Sequence, residues 1–327
     1  MKTDFEPSNY DALLFVSFGG PEGMDDVIPF LENVLRGRNV PRERMLGVAR
    51  HYELFGGVSP INQQNRNLIA ALQRELDQNG PHLPIYWGNR NWHPLLPDTL
   101  ARMTEDGIRN ALAFVTSAYS SYSSCRHYLQ NINEAQAAVG PNAPRVEKLR
   151  AFYKHSLFLK ANVDHIRAAL AQFDDPGSVN LVFTAHSIPE SMSANCDYAA
   201  QLAEAGGLIA GAVEIKNWQL VYQSRSGSPA QPWLGPDITN HLRTLHRDGV
   251  RNVLVAPIGF VSDHMEVVYD LDVEAQRVAG ELGMKMVRAA TAGTHPAFVK
   301  MIRELMLERI NGEAPENICA PDCCLIG

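Results

Sequence analysis

The sequence repeats itself at long range, and this limits the folds open to it more than any other feature. Asp106-Gly-Ile-Arg-Asn-Ala-Leu-Ala-Phe114 is close to Asp248-Gly-Val-Arg-Asn-Val-Leu-Val-Ala256. Upstream of these, His93-Pro-Leu-Leu-Pro-Asp98 is close to Gln231-Pro-Trp-Leu-Gly-Pro-Asp237, and Leu13-Leu-Phe-Val-Ser-Phe-Gly-Gly-Pro-Glu22 to Leu181-Val-Phe-Thr-Ala-His-Ser-Ile-Pro-Glu190. Asp-Gly is a common helix stop, so one match alone would carry little. Three matches in the same order point to two similarly folded halves. The same comparison sets Phe18 beside His186 and Ser124 beside Glu266.

Each half reads as strands alternating with helices. Ala12–Val16, Leu83–Trp87, Ala111–Thr116, Asn180–Thr184, Trp218–Tyr222 and Val253–Ile258 are short apolar runs of strand length. Val27–Leu35, Pro97–Met103, Leu157–Phe173, Ile238–His246 and Pro296–Arg309 carry helical patterns. Such alternation predicts an α/β protein with two Rossmann-like halves, each a parallel sheet flanked by helices. The expected division is 10–146 with 290–318 for the first half and 147–289 for the second. A Cys-rich tail, 319–327, follows, and the segment after Pro296 is expected to pack back on the first half.

Composition narrows the function. A net charge of -7 argues against a nucleic-acid partner, which requires a basic face. No signal-peptide pattern is visible and no apolar run reaches membrane-spanning length, so a cytoplasmic location is expected. A monomer is the default, because no strongly apolar exposed helix face stands out. Gly19-Gly-Pro-Glu-Gly23 fits neither common phosphate-loop pattern, and no Gly-x-Ser-x-Gly nucleophile elbow occurs.

Two places could carry chemistry. His186 follows the apolar run Asn180–Thr184, at the strand end where open parallel sheets bind ligands. A single histidine is also compatible with a purely structural hydrogen-bonding role. Glu266, Asp270 and Glu274 are spaced by four on a helix expected to begin near Ser262, so they share a face. Like charges at that spacing destabilise a helix. The row is either a solvated acidic face or a path for a divalent cation toward an imidazole. Nitrogen and oxygen donors suit ferrous iron and similar metals, with Asp263 and His264 placed to support the site.

Val182-Phe-Thr-Ala-His-Ser-Ile-Pro189 and Pro257-Ile-Gly-Phe-Val-Ser-Asp-His-Met-Glu266 resemble the two signature segments of the ferrochelatase family. Ser17-Phe-Gly-Gly-Pro-Glu22, Gly56-Gly-Val-Ser-Pro60, Tyr222-Gln-Ser-Arg-Ser-Gly227 and Pro232-Trp-Leu-Gly-Pro236 extend the resemblance, in family order, from about Ala12 to about Arg309. It implies a chelatase-like fold with the active site in the cleft between the halves, and insertion of ferrous iron into a porphyrin in heme biosynthesis. By the same resemblance His186 and Glu266 are catalytic and lie on opposite sides of the metal, while Asp270 and Glu274 pass metal inward. Phe18, Ser59, Ser123 and Tyr128 fall where relatives contact the porphyrin. Phe18 departs from the many Gram-positive relatives that place a tyrosine there, and a phenyl ring cannot ligate iron.

The resemblance is strongest to actinobacterial members, which implies coproporphyrin III as substrate and coproheme as product. Protoporphyrin IX is the alternative substrate; a non-catalytic tetrapyrrole or metal carrier on the same fold is the competing class, and a cobalt chelatase of vitamin-B12 synthesis a nearer alternative than that carrier. Arg36, Arg38, Arg50 and His51 are candidates for meeting the extra propionates of coproporphyrin. Transient heme-pathway partners remain compatible with this reading.

The five cysteines are Cys125, Cys196, Cys319, Cys323 and Cys324. An odd number argues against a disulfide framework. Four thiolates suit either a [2Fe–2S] cluster or a structural zinc, which spacing does not distinguish. The family resemblance implies the cluster, on Cys125, Cys319, Cys323 and Cys324, with Cys196 left over. Its ligands would be saturated, so it is not the insertion site.

Overall fold

The computed structural model describes residues 10–37, 40–226, 230–313 and 323–325. They form eight strands: β1 (Ala12–Ser17), β2 (Ile85–Asn89), β3 (Asn110–Val115), β4 (Arg145–Lys148), β5 (Val179–His186), β6 (Trp218–Gln223), β7 (Asn252–Ala256) and β8 (Lys285–Arg288). These make two four-stranded sheets, in the orders β2-β1-β3-β4 and β6-β5-β7-β8, with every pairing parallel. The central strands β1 and β5 are apolar because helices cover both faces of each sheet; all six residues of β1 are buried.

The chain divides into two compact units, the first made of residues 10–116, 125–151 and 299–313, the second of 117–124, 152–298 and 323–325. In the first, Leu14, Val16, Leu100, Ala113 and Ile132 pack as one apolar cluster; in the second, Val182, Val221, Leu242, Val255 and Leu271 do the same. The edges differ from the sequence expectation for packing reasons. Residues 117–124 sit with the second unit, where the Tyr119 ring meets those of Tyr153, Phe158 and Tyr198 at 6.1, 6.4 and 6.2 Å. Residues 290–298 also belong there, Phe298 packing on Phe152 and Phe158. From Val299 the chain is part of the first unit, where Arg303 donates to the carbonyls of Asn79 and Gly80 and Arg150 forks onto Glu308.

Backbone hydrogen bonds fix the internal repeat residue by residue. Asn89 N–H donates to Pro94 O at 2.7 Å in the first unit, and Tyr222 N–H to Pro236 O at 2.9 Å in the second. Asn89 pairs with Ser17 and Tyr222 with Ala185, so the next residues, Phe18 and His186, are equivalent. The sequence match around Asp98 and Asp237 is corrected by three residues, because Leu95 is the true counterpart of Asp237. Each precedes a helix, Leu96–Glu105 and Ile238–Arg247. Asp237 caps its helix by accepting from Thr239 N–H, which leucine cannot do. The helix expected from Ser262 begins instead at Met265, since His264 is still extended (φ -143°, ψ -177°). Among the described residues, no helix is long and apolar enough to cross a membrane.

Candidate functional site

The second unit builds its site where β5, β6 and β7 end. His186 is the last residue of β5, paired with Gln223 at the end of β6. β7 stops at Pro257, which lacks the N–H a further ladder bond would need. Gly259 then lays the following loop flat on β5. Its N–H donates to Thr184 O at 3.0 Å, and a Cβ there would stand 2.5 Å from Ala185 Cβ and 2.6 Å from its Cα. The chain runs through Asp263 and His264 into the helical pieces Met265–Val267, π-helical Val268–Ala275 and Gln276–Glu281.

This path carries Glu266 back to His186. Nε2 of His186 lies 3.4 Å from Oε1 of Glu266, and Nδ1 of His264 lies 3.6 Å from Oε2 of the same carboxylate. His186 Nδ1 meets the Ser187 carbonyl; a carbonyl only accepts, so Nδ1 carries a proton and Nε2 faces the carboxylate. Tyr198 Oη donates to His186 O at 3.0 Å, and Gln223 Nε2 to Glu266 O at 2.6 Å. These two anchors hold both backbones. The site is not sealed, the side chains of His186 and Glu266 being 30% and 47% exposed.

The charges sort themselves sharply. Burial pulls the His186 imidazolium down, but the Glu266 carboxylate outweighs it and raises the imidazole to about 9. Burial alone would raise Glu266, yet the His186 charge beside it holds it at about 2. His264, desolvated and next to the His186 charge, is lowered despite Glu266. Thus one carboxylate stands between a charged and a neutral imidazole. Asp270 is pushed up to about 7 by burial and by Glu266 and Glu274, against the opposing hydrogen bond from Ser224. Glu274 is raised as well, by burial and by Asp237. Asp270 therefore shares a proton with solvent near neutrality while Glu266 stays anionic.

His186, Glu266, Asp270 and Glu274 thus form one electrostatically coupled row. Sequence reasoning gave His264 only a supporting place and missed Tyr198, Gln223 and Ser224. The Tyr222-Gln-Ser segment was the available signal for the last two. Among the described residues, no three His, Cys, Asp or Glu side chains form a preformed metal cage.

The other sequence candidates lie as follows. In the first unit Phe18 packs edge-on against Phe30, with the Arg90 guanidinium 5.7 Å from its ring centroid. The same guanidinium lies 4.5 Å from the Tyr128 ring centroid and donates to Asn131. Tyr128 and Ser59 are buried. Ser123, in the second unit, is half-buried with Oγ 3.5 Å from Met192 Sδ. Arg36 and Arg50 are exposed and His51 is half-buried, while Arg38 lies outside the described residues. Cys125 is buried in the π-helical turn Tyr122–Arg126, Cys324 is buried with φ 56°, Cys323 is half-buried, and Cys319 lies outside the described residues.

The model of the family described as Ferrochelatase matches residues 10–310. A protein of Rhodopirellula baltica named Ferrochelatase is 54% identical over 328 residues, covering 97% of this chain and 93% of its own. A Coproporphyrin III ferrochelatase of Nocardia farcinica is 50% identical over 338 residues, covering 96% of each. Among solved structures, SirB from Bacillus subtilis with Fe3+ aligns at 11% identity with a TM-score of 0.57, over 92% of this chain and 97% of that one. CbiX, described as a terminal enzyme of siroheme biosynthesis in denitrifying bacteria, aligns at 14% identity with a TM-score of 0.54, over 90% and 98%. The two structural likenesses establish the fold.

Proposed function

The chain belongs to the ferrochelatase family, and we propose from that premise that it inserts ferrous iron into coproporphyrin III to give coproheme in heme biosynthesis. The observation that carries the reading to residues is the His186–Glu266 pair, 3.4 Å apart at the carboxyl end of a parallel strand and open to solvent. Insertion must strip water from the cation, seat it in the macrocycle and remove two pyrrole protons. Glu266, anionic over the whole neutral range, receives the dication. The arriving charge replaces the imidazolium as the carboxylate's partner and drives the proton off His186. The neutral imidazole is then free to ligate the metal or accept a pyrrole proton. Asp270 and Glu274 continue the row as the route by which metal and protons exchange with solvent. His264, held neutral, buffers the far oxygen of Glu266.

Phe18, Ser59, Ser123 and Tyr128 are assigned to the porphyrin, Phe18 through its ring face. Arg36, Arg38, Arg50 and His51 are assigned to the propionates. The cytoplasm is the proposed location, a reading supported by Cys125, Cys196, Cys323 and Cys324 standing as thiols, in no disulfide among the described residues. We also assign a [2Fe–2S] cluster to Cys125, Cys319, Cys323 and Cys324. Thiolate donors suit it, and the stretch Cys319-Ala-Pro-Asp-Cys323-Cys324 supplies three of the four within six residues. Bound there, it would supply a one-electron redox centre and a tie for the tail, outside the insertion chemistry. Visible absorption bands with matching iron and sulfide content in anaerobically purified protein are expected; their absence would refute the cluster.

Protoporphyrin IX is the second reading, which the Rhodopirellula relative leaves open because its name, Ferrochelatase, specifies no porphyrin. An anaerobic assay offering both porphyrins with ferrous iron separates the two. Coproporphyrin III should be consumed with the higher kcat/KM. Preference for protoporphyrin IX would move the substrate assignment, and consumption of neither would remove the enzyme reading.

A further inference from the structure

Arg288 ends β8, whose Met286 shares an apolar cluster with Val267 and Leu271 and accepts from Gln276 Nε2 at its carbonyl. Its guanidinium forks onto Asp272, Nε to Oδ1 at 2.6 Å and Nη2 to Oδ2 at 2.9 Å. It also forks onto Asp263, Nη1 to Oδ1 at 3.1 Å and Nη2 to Oδ2 at 3.2 Å. Thr291 Oγ1 adds a hydrogen bond to Asp263 at 3.2 Å. The Arg288 and Asp263 side chains are only 16% and 18% exposed.

The two carboxylates bracket Glu266 and Asp270, with Glu274 just beyond. Asp263 immediately precedes His264 and lies three residues before Glu266; Asp272 lies between Asp270 and Glu274. One planar cation therefore fixes both ends of the stretch that carries Glu266 and Asp270, and the approach to Glu274. Helical hydrogen bonding does not supply this by itself, because the stretch passes from extended backbone at His264 through a short helical piece into a π-helix. A π-helical stretch is rare. The fork matters as much as the charge, since a lysine ammonium is a point donor that cannot engage two carboxylates bidentately.

We infer that Arg288 is a positioning residue for metal handling: by bridging Asp263 and Asp272 it holds Glu266 at ligating range of His186 and keeps Asp270 and Glu274 in line behind it. The inference rests on the proposed role of the His186–Glu266 pair as the metal site. It predicts that Arg288→Lys, which keeps the charge and loses the fork, weakens the site without disturbing the porphyrin. Partners of this kind typically change metal affinity or activity by about 10–100-fold when lost.

The test measures Co2+ affinity by calorimetry, metallation kinetics with Co2+, porphyrin affinity by fluorescence quenching, and thermal melting. The proteins are full-length wild type, Arg288→Lys, Asp272→Asn and, as a site control, His186→Ala. Arg288→Lys should lose about tenfold in Co2+ affinity and in kcat with porphyrin affinity unchanged. Asp272→Asn, at a half-exposed partner, should lose a smaller amount in the same two readouts with wild-type melting, which separates positioning from folding should Arg288→Lys fail to fold. Wild-type Co2+ affinity and kcat in Asp272→Asn, and in Arg288→Lys where it folds, would overturn the inference. If wild type binds Co2+ through His186 yet metallates no porphyrin, the enzyme reading fails while the affinity comparison still judges Arg288.

Discussion

The carboxyl ends of β1 and β5 occupy equivalent places in two sheets of the same strand order, yet they carry opposite chemistry. In the first unit the residue after the strand pairing is Phe18, and the neighbour supplied by the adjacent strand end is Arg90, set over aromatic rings. In the second unit the same two places hold His186 and Gln223, and a carboxylate row approaches them. The edge strands differ in the same sense. β4 ends in Lys148, whose ammonium donates to the next carbonyl, whereas β8 ends in Arg288, clamped on two carboxylates. A duplicated framework thus carries aromatic rings and a guanidinium at one strand end and an imidazole with carboxylates at the other. Strand order sets where an end lies; a handful of side chains sets what it can do.

The comparison breaks most sharply if the second end is made to copy the first. His186→Phe should reduce iron insertion by at least about 10²-fold, the scale of a lost proton-transfer group, with porphyrin affinity retained. Phe18→Leu should leave turnover within about tenfold. Equal losses in the two variants, measured by anaerobic single-turnover kinetics, would erase the proposed division of labour.

The loop approach is the next test. Gly259→Ala drives a methyl group into the backbone of β5 and should destabilise the protein by about 1–3 kcal/mol, the usual range for overpacking, with loss of metallation. Gly211→Ala, in the helix Tyr198–Ala212 with open space at its Cβ, should leave melting unchanged or raise it slightly.

Titration sharpens the contrast further. Because His186 is raised to about 9, metal must displace its proton through the neutral range. Co2+ affinity should then climb up to about tenfold per pH unit and level off near pH 9; His186→Ala should flatten that slope. Stability responds with the opposite sign. The raised imidazole favours the folded state fully below pH 6.5, and that contribution is lost as pH rises through about 9.

The smallest effect belongs to Asp270. Its raised carboxyl means the folded state binds the proton more tightly, so stability falls as pH rises from about 4 through about 7. Asp270→Asn removes that loss and should raise Tm by about 2–4 °C at pH 8 with little change at pH 4, while slowing metal uptake.

Much of this was legible in the chain itself. β1 is fully buried and β5 and β7 nearly so, all as apolar runs, so their pattern is unmistakable, and the repeat correctly set Phe18 beside His186. The helices Arg42–Glu53, Ile61–Asn79 and Tyr198–Ala212 were not read, the first two because their buried faces are narrow within polar sequences. The edge strands Arg145–Lys148 and Lys285–Arg288 are too charged and too short to look like strands. At the site, His186 and the carboxylate row could be found from spacing and strand ends. The neutral state of His264 and the Arg288 clamp could not, because both depend on partners brought close only by folding.

The most direct test of the metal site is a cobalt-edge anomalous difference map from a crystal of the protein exposed to Co2+. The account predicts a peak within ligating distance of both His186 Nε2 and a Glu266 carboxylate oxygen, lost in His186→Ala. A fully occupied cobalt elsewhere, with nothing between those two side chains in an enzyme that still metallates porphyrin, would contradict it.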